Sequence, residues 1–241
     1  MLQRELAAYL SALQTHHGRG LPPLPLPDCA KALGLDGLAF LISPEGRPAE
    51  LMQSHGPHTE AVEDLQLTQG QGPTLDAARD GALVLVPDLT ALGPDRWPGL
   101  PGDLIKLGVQ AAFAFPLRIG VIVLGVVSGY RTTPGPMNAA QLADALSLTR
   151  MLTAVVTGVA GKPGTPASVL FDDGLNFAEV HQATGMIASQ LEIPAAQALA
   201  RLRAHAFSHG LPILRTARDV LEGRLRLNAA DQDTGRGPEQ P

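Results

Sequence analysis

Residues 170–227 read LFDDGLNFAEVHQATGMIASQLEIPAAQALARLRAHAFSHGLPILRTARDVLEGRLRL, and this stretch decides how the chain is organised. Its apolar residues recur at helical spacing in three short runs. Val180, Ala183, Ile187 and Leu191 form the first stripe, and Ala195, Ala198, Leu199, Leu202 and Ala206 the second. Ile213, Leu214, Ala217, Val220 and Leu221 form the third. Asn176 with Glu179 is a capping-box variant, and Leu175 with Val180 fits the hydrophobic staple around it. Pro194 and Pro212 suit the starts of the second and third helices, and Gly210 and Gly223 their ends. A bundle this small has too little core to enclose a deep substrate pocket, so its function is expected on its surface.

At 100° per residue the first helix turns Ala178, Gln182, Gly185 and Ser189 away from its apolar stripe. A solvated face would ordinarily carry Lys or Glu, and a mid-helix glycine costs about 1 kcal/mol against alanine. Two readings stand: another helix packs closely against Gly185, or a flat strip lets a nucleic-acid loop approach the backbone. Charge is divided along the stretch. Residues 170–194 hold four acids and no Lys or Arg, whereas residues 195–227 hold six arginines (201, 203, 215, 218, 224 and 226) against Asp219 and Glu222. Arginine favours bidentate phosphate contacts and stacking on bases, but each of these residues also suits a solvated or ion-paired role. The rings Phe177 and Phe207 both fit a core, so base stacking on aromatic side chains is expected to be mostly absent.

The phrase His181-Gln182-Ala183-Thr184-Gly185-Met186-Ile187, followed by Leu202-Arg203 and Ala206, resembles an ANTAR domain. That resemblance implies a bacterial RNA-binding domain of transcription antitermination. Ala183, Thr184, Gly185 and Met186 fall on the family's Ala-Lys-Gly-(Ile/Leu) phrase, with Thr184 in place of a common lysine. The resemblance and the helix geometry together name Gln182, Thr184, Gly185, Ser189, Arg201, Arg203 and Arg218 as candidate RNA contacts, Arg203 first among them.

The 241 residues suit two domains, and the net charge of −5 is unequally distributed. Residues 1–169 sum to −3, residues 170–227 to zero and residues 228–241 to −2, which argues against nonspecific coating of nucleic acid. Cys29 is the sole cysteine, so no internal disulfide forms, and it is expected to be a small buried hydrophobe in a reducing cytoplasm. No apolar run is long enough for a transmembrane helix, and the N-terminus does not read as a signal peptide.

An α+β domain with an antiparallel sheet and flanking helices is expected before the bundle. Residues 2–15 read as an amphipathic helix with Leu2, Leu6, Tyr9, Leu10 and Leu13 on one side, followed by a Gly/Pro hinge at 18–23. Residues 28–34 suit a helix, 37–43 and 81–86 strands, 110–117 and 121–130 a hairpin, and 138–157 a long helix. The expected divisions are 1–20 helix and hinge, 21–157 sensor domain, 158–169 linker, 170–227 bundle and 228–241 disordered tail.

The order of Gly70-Gln71-Gly72-Pro73-Thr74-Leu75-Asp76, Leu85-Val86-Pro87-Asp88-Leu89, Arg96-Trp97-Pro98, Leu107-Gly108-Val109, Phe115-Pro116-Leu117 and Leu124-Gly125-Val126-Val127 resembles a GAF domain. The resemblance implies a sensing or dimerising half, with a possible small-molecule ligand. Thr74 stands where relatives often have cysteine, which removes a candidate thiol or metal ligand. Cys29 does not lie where a bilin would attach, and no signature of cyclic-nucleotide binding is present.

No cofactor, metal or enzymatic activity is expected. His55 and His58 lie in a Gly/Pro loop near Glu60 and Glu63, and His205 and His209 share one helix face, but neither pair has enough convergent ligands. His16-His17 reads as solvated, and no nucleophile, phosphate-loop or CxxC pattern appears. The combined expectation is a cytoplasmic homodimeric regulator that binds paired RNA hairpins, with no membrane partner. Two rivals remain: a protein-docking or dimerisation module without RNA binding, and a sensor acting through a filled GAF pocket.

Overall fold

The computed structural model describes residues 2–15, 21–43, 50–160 and 178–227. The chain divides into two compact units, Met1–Asn176 and Phe177–Pro241. The first unit is built on one five-stranded sheet. Its strands are β1 (Gly37–Ile42), β2 (Glu50–His55), β3 (Val84–Val86), β4 (Ala111–Ile119) and β5 (Ile122–Arg131), in spatial order β2-β1-β5-β4-β3. Every pairing is antiparallel. Gly120 turns the β4–β5 hairpin at φ +59°, a conformation glycine adopts without the penalty of a Cβ.

Both faces of this sheet are buried. On one side Phe40, Phe113, Phe115 and Leu117 pack with α1 (Leu2–Thr15), α2 (Leu26–Leu33) and α6 (Ala139–Ala160). On the other, Val84, Ala114, Val126 and Tyr130 pack with α3 (Thr59–Gln69), α4 (Pro73–Asp80) and α5 (Leu100–Lys106). Leu38, Phe40 and Phe115 are all fully buried. Cys29 is 1% exposed, a buried small side chain. Leu6 and Tyr9 of α1 are buried, the Tyr9 hydroxyl donating to Pro22 O at 3.1 Å, but Leu10 is 39% exposed and so leaves the expected stripe.

The expected α+β organisation of this unit is present, with additions. The strand β2 and the helices α3, α4 and α5 had no place in the sequence reading. His55 ends β2 and so leaves the loop that SHGPH implied, whereas His58 stays in the short turn before α3. The last long helix runs to Ala160, which absorbs residues 158–160 of the expected linker. Residues 161–169, the capping residues Leu175 and Asn176, Phe177, the pair His16-His17, part of the hinge and the tail at 228–241 lie outside the described residues. Among the described residues no helix is long and apolar enough to cross a membrane.

A polar knot ties α3 and α4 to the centre of the sheet. Thr74 of α4 receives Gln66 Nε2–H at 3.1 Å and donates its backbone N–H to Gln66 Oε1 at 2.8 Å. Its hydroxyl lies 3.2 Å from Glu63 Oε1 and 2.9 Å from Ser128 Oγ on β5. Glu63 is 3% exposed, and burial pushes its carboxyl up to about 7, against the opposing pull of the Ser128, Thr74 and Gln66 hydrogen bonds. Close by, Tyr130 covers Gly37, its cross-strand partner, and its hydroxyl accepts the His58 N–H at 3.1 Å.

Two outcomes follow for the folded unit. A Cβ at Gly37 would overlap Tyr130 Cε1 and lie 2.6 Å from Thr59 Oγ1, so Gly37→Ala is expected to cost about 1–3 kcal/mol in urea unfolding. Folding raises the Glu63 pKa, so the folded state holds the extra proton between the ordinary carboxylate range and about 7. Stability is therefore highest below that window and falls as pH rises through it, by about 3 kcal/mol in total. Urea unfolding of the wild type and Glu63→Gln at about pH 5 and pH 8 should show this loss in the wild type only.

Candidate nucleic-acid interface

The second unit is a bundle of three helices, α7 (Ala178–Leu191), α8 (Ala195–Ser208) and α9 (Ile213–Leu221), each packed against the other two. Its core is small: Val180, Ala183 and Ile187 from α7, Ala198, Leu202 and Ala206 from α8, and Ile213, Ala217 and Val220 from α9. Ala195, expected in the second stripe, is exposed, and Leu191, Leu199, Leu214 and Leu221 are half-buried. Gly210 at φ +61° follows α8 and Gly223 at φ +72° follows α9, while Pro194 and Pro212 sit one residue before their helices.

The back strip of α7 is exposed. Gln182, Gly185 and Ser189 all face outward, and a Cβ built on Gly185 meets no atom within 4 Å. Close packing among the described residues therefore does not explain this glycine. Thr184 lies elsewhere: it is 7% exposed and its Oγ1 donates to Val180 O at 2.6 Å. It falls beside the apolar stripe, where a β-branched hydroxyl turns back to the carbonyl one turn earlier. Thr184 is thus a core residue and not a surface contact.

The arginines divide by burial. Arg201 and Arg203 are half-buried, and burial pulls the Arg203 guanidinium below its ordinary range. Arg218 is exposed, but its Nε–H donates to Glu179 Oε2 at 2.6 Å, joining α9 to α7. Arg224 is paired with Asp219 and Glu222. Arg215 and Arg226 are exposed and make no ion pair among the described residues. The sequence reading counted these two in the local charge without naming them as contacts. What sets them apart is that Asp219 and Glu222, their neighbours in sequence, pair with Arg224 instead.

Two further placements differ from expectation. Phe207, whose sequence position also fits a core, is 64% exposed. His205 and His209 stack at 4.0 Å between ring centroids, and His209 Nδ1 lies 2.9 Å from His205 O, with His209 itself exposed. These contacts hold the two rings together at the end of α8, His205 half-buried and His209 exposed. Among the described residues no group of three or more His, Cys, Asp or Glu is arranged to hold a metal.

In the first unit, the α3–α5 side of the sheet is lined by buried side chains. Trp97, Leu100, Leu104 and Val109 are each 5% exposed or less. The Trp97 indole N–H donates to Asp76 Oδ2 at 2.9 Å, and the Arg96 guanidinium lies 4.4 Å from its ring centroid. The residue takes φ +54°, which is uncommon for a bulky side chain and shows how firmly these contacts seat it. A groove of about 570 Å³ opens on the opposite side, between α6 and β4, lined by Leu83, Pro116 and Leu146 with Arg118 and Arg150.

No protein-family model matches the chain, and no curated protein matches it either. Solved structures do. The GAF domain from an Acinetobacter phosphoenolpyruvate-protein phosphotransferase superposes with a TM-score of 0.51 at 18% identity, over 68% of this chain and 95% of that one. The corresponding GAF domain from Coxiella burnetii gives 0.50 at 16% identity, over 66% and 95%. About two thirds of the chain, centred on the five-stranded antiparallel sheet, has the GAF-domain fold.

Proposed function

We propose that this is a non-enzymatic signalling protein whose C-terminal bundle binds RNA, in the manner of the ANTAR domains its sequence resembles. The observation that carries the reading is the α7 strip. Gln182, Gly185 and Ser189 are exposed together, and the glycine faces open space although it weakens the helix. Small side chains and a bare backbone let a nucleic-acid loop approach closely, and Arg215 and Arg226, exposed and without an ion pair among the described residues, supply phosphate contacts in the same unit. The GAF-fold unit receives a signal and joins two copies into a homodimer. Paired bundles then hold paired RNA hairpins, a terminator does not form, and transcription continues.

A second reading rests on the Arg118–Arg150 groove, whose apolar residues and two cations suit a small amphiphilic anion, the one acid in its lining, Asp80, being paired with Arg79. A ligand carried through purification and identified by mass spectrometry would support that sensor role, and it is compatible with RNA binding.

The test is a salt titration of the full-length chain with a two-hairpin RNA, against single-hairpin and duplex DNA controls. Affinity should fall with salt at a log–log slope of about −0.7 to −0.9 per phosphate neutralised. Arg215→Gln and Arg226→Gln should each reduce the magnitude of that slope by about 1, whereas Arg218→Gln, already paired with Glu179, should change it less. Gly185→Ala gives a sharper result. It should stabilise the bundle by up to about 1 kcal/mol while weakening RNA binding, because it improves the helix and fills the approach. Absence of binding at low salt would overturn the reading.

A further inference from the structure

Seven phenylalanine, tyrosine and tryptophan rings lie among the described residues, and six of them are 5% exposed or less. The seventh, Phe207 in the last turn of α8, is 64% exposed. Its surroundings leave it bare. Alanines at 200 and 204 share its face and are themselves exposed. Arg203 precedes it by one turn on the same side. The opposite face of α8, Ala198, Leu202 and Ala206, makes the core, so Phe207 contributes nothing to it.

We infer that Phe207 is a stacking platform for one unpaired RNA base, an inference that rests on the RNA-binding reading above. Three properties favour a base over other parts of a nucleic acid. A ring flanked by alanines offers a flat apolar face wide enough for a purine or pyrimidine to lie against. The negative end of the helix dipole lies at this turn and disfavours phosphate there, whereas a neutral base is indifferent to it. Residues 195–227 carry six arginines against two acids, and this local excess, not the charge of the whole unit, is what would hold the flanking backbone. Single-stranded loops present unstacked bases in this way, and duplexes do not. The binding energy thus divides between cations that hold the backbone and one ring that selects an open loop.

The experiment uses the full-length chain and a two-hairpin RNA carrying 2-aminopurine at each loop position in turn. Stacking on the ring changes the fluorescence of the substituted base. Phe207→Ala should weaken binding roughly 5- to 150-fold and abolish the fluorescence change at one loop position. Phe207→Tyr should retain both. The salt slope should be the same in all three proteins, since stacking releases no counterions. Because the ring lies outside the core, circular dichroism melting should be little changed by Phe207→Ala.

Wild-type affinity in Phe207→Ala, with the fluorescence change intact, would overturn the platform while leaving RNA binding standing. So would a loss of affinity accompanied by a shallower salt slope, which would place the defect in phosphate contacts. A change in sedimentation with unchanged RNA affinity would assign the alanine face to a second copy of the chain and overturn the inference. Failure of the wild type to bind the RNA at low salt would remove this inference and the RNA reading together.

Discussion

The first unit depends on β5. It is the middle strand of five, hydrogen-bonded to β1 on one side and β4 on the other, and it is covered on both faces. Burial on both faces requires helices in two layers, and it strips water from any polar group the strand carries. Ser128 is such a group. Its hydroxyl is satisfied only because α3 and α4 bring Glu63, Gln66 and Thr74 to the same point. The resulting knot fixes where those helices sit, at the cost of a carboxyl held above its ordinary range.

That arrangement gives physical meaning to the segment Gly70–Asp76. Gly70 ends α3 in the left-handed conformation, and Gly72 at φ +129° makes the turn into Pro73, the first residue of α4. Thr74 then enters the knot, and Asp76 accepts the Trp97 indole N–H. Each position serves the junction of helix, sheet and the loop bearing Trp97. A threonine hydroxyl at 74 both donates and accepts there, so the position where relatives often have cysteine serves here to hold the fold together.

The parts legible in the sequence were those buried on a regular period. GLAFLIS, the two halves of the β4–β5 hairpin and the stripes of α6 to α9 announce themselves because water is excluded from one side or both. β2 was hidden because it is an edge strand, half-exposed from Met52 to His55, and its Gln53, Ser54 and His55 read as loop residues. α3 was hidden because its buried face includes Thr59, Glu63, Gln66 and Thr68, polar residues that bury only through partners distant in sequence. In the bundle, helix geometry correctly turned Gln182, Gly185 and Ser189 outward. It could not distinguish Arg218 from Arg215, which has no ion pair among the described residues, since the Glu179 that pairs with Arg218 lies on another helix.

Phe207 and Gly185 gain significance from the size of the unit that carries them. A bundle of about fifty residues buries little apolar surface, and domains of that size are marginally stable. Each residue forgoes stabilisation that was structurally available. Alanine at 185 would strengthen α7 without meeting another atom, and a polar side chain at 207 would not leave an aromatic ring in water. The larger unit could absorb such losses; the smaller one has the least reserve to do so. The two features also lack any role in the bundle's own packing, whereas Thr184, beside Gly185 in sequence, has one. A glycine that opens one helix surface and a ring that furnishes another are therefore best understood through a partner absent from the isolated fold, and they make complementary demands on it. Under the RNA-binding proposal, one surface takes a close backbone approach and the other a flat apolar group, and an RNA loop with an unpaired base has both.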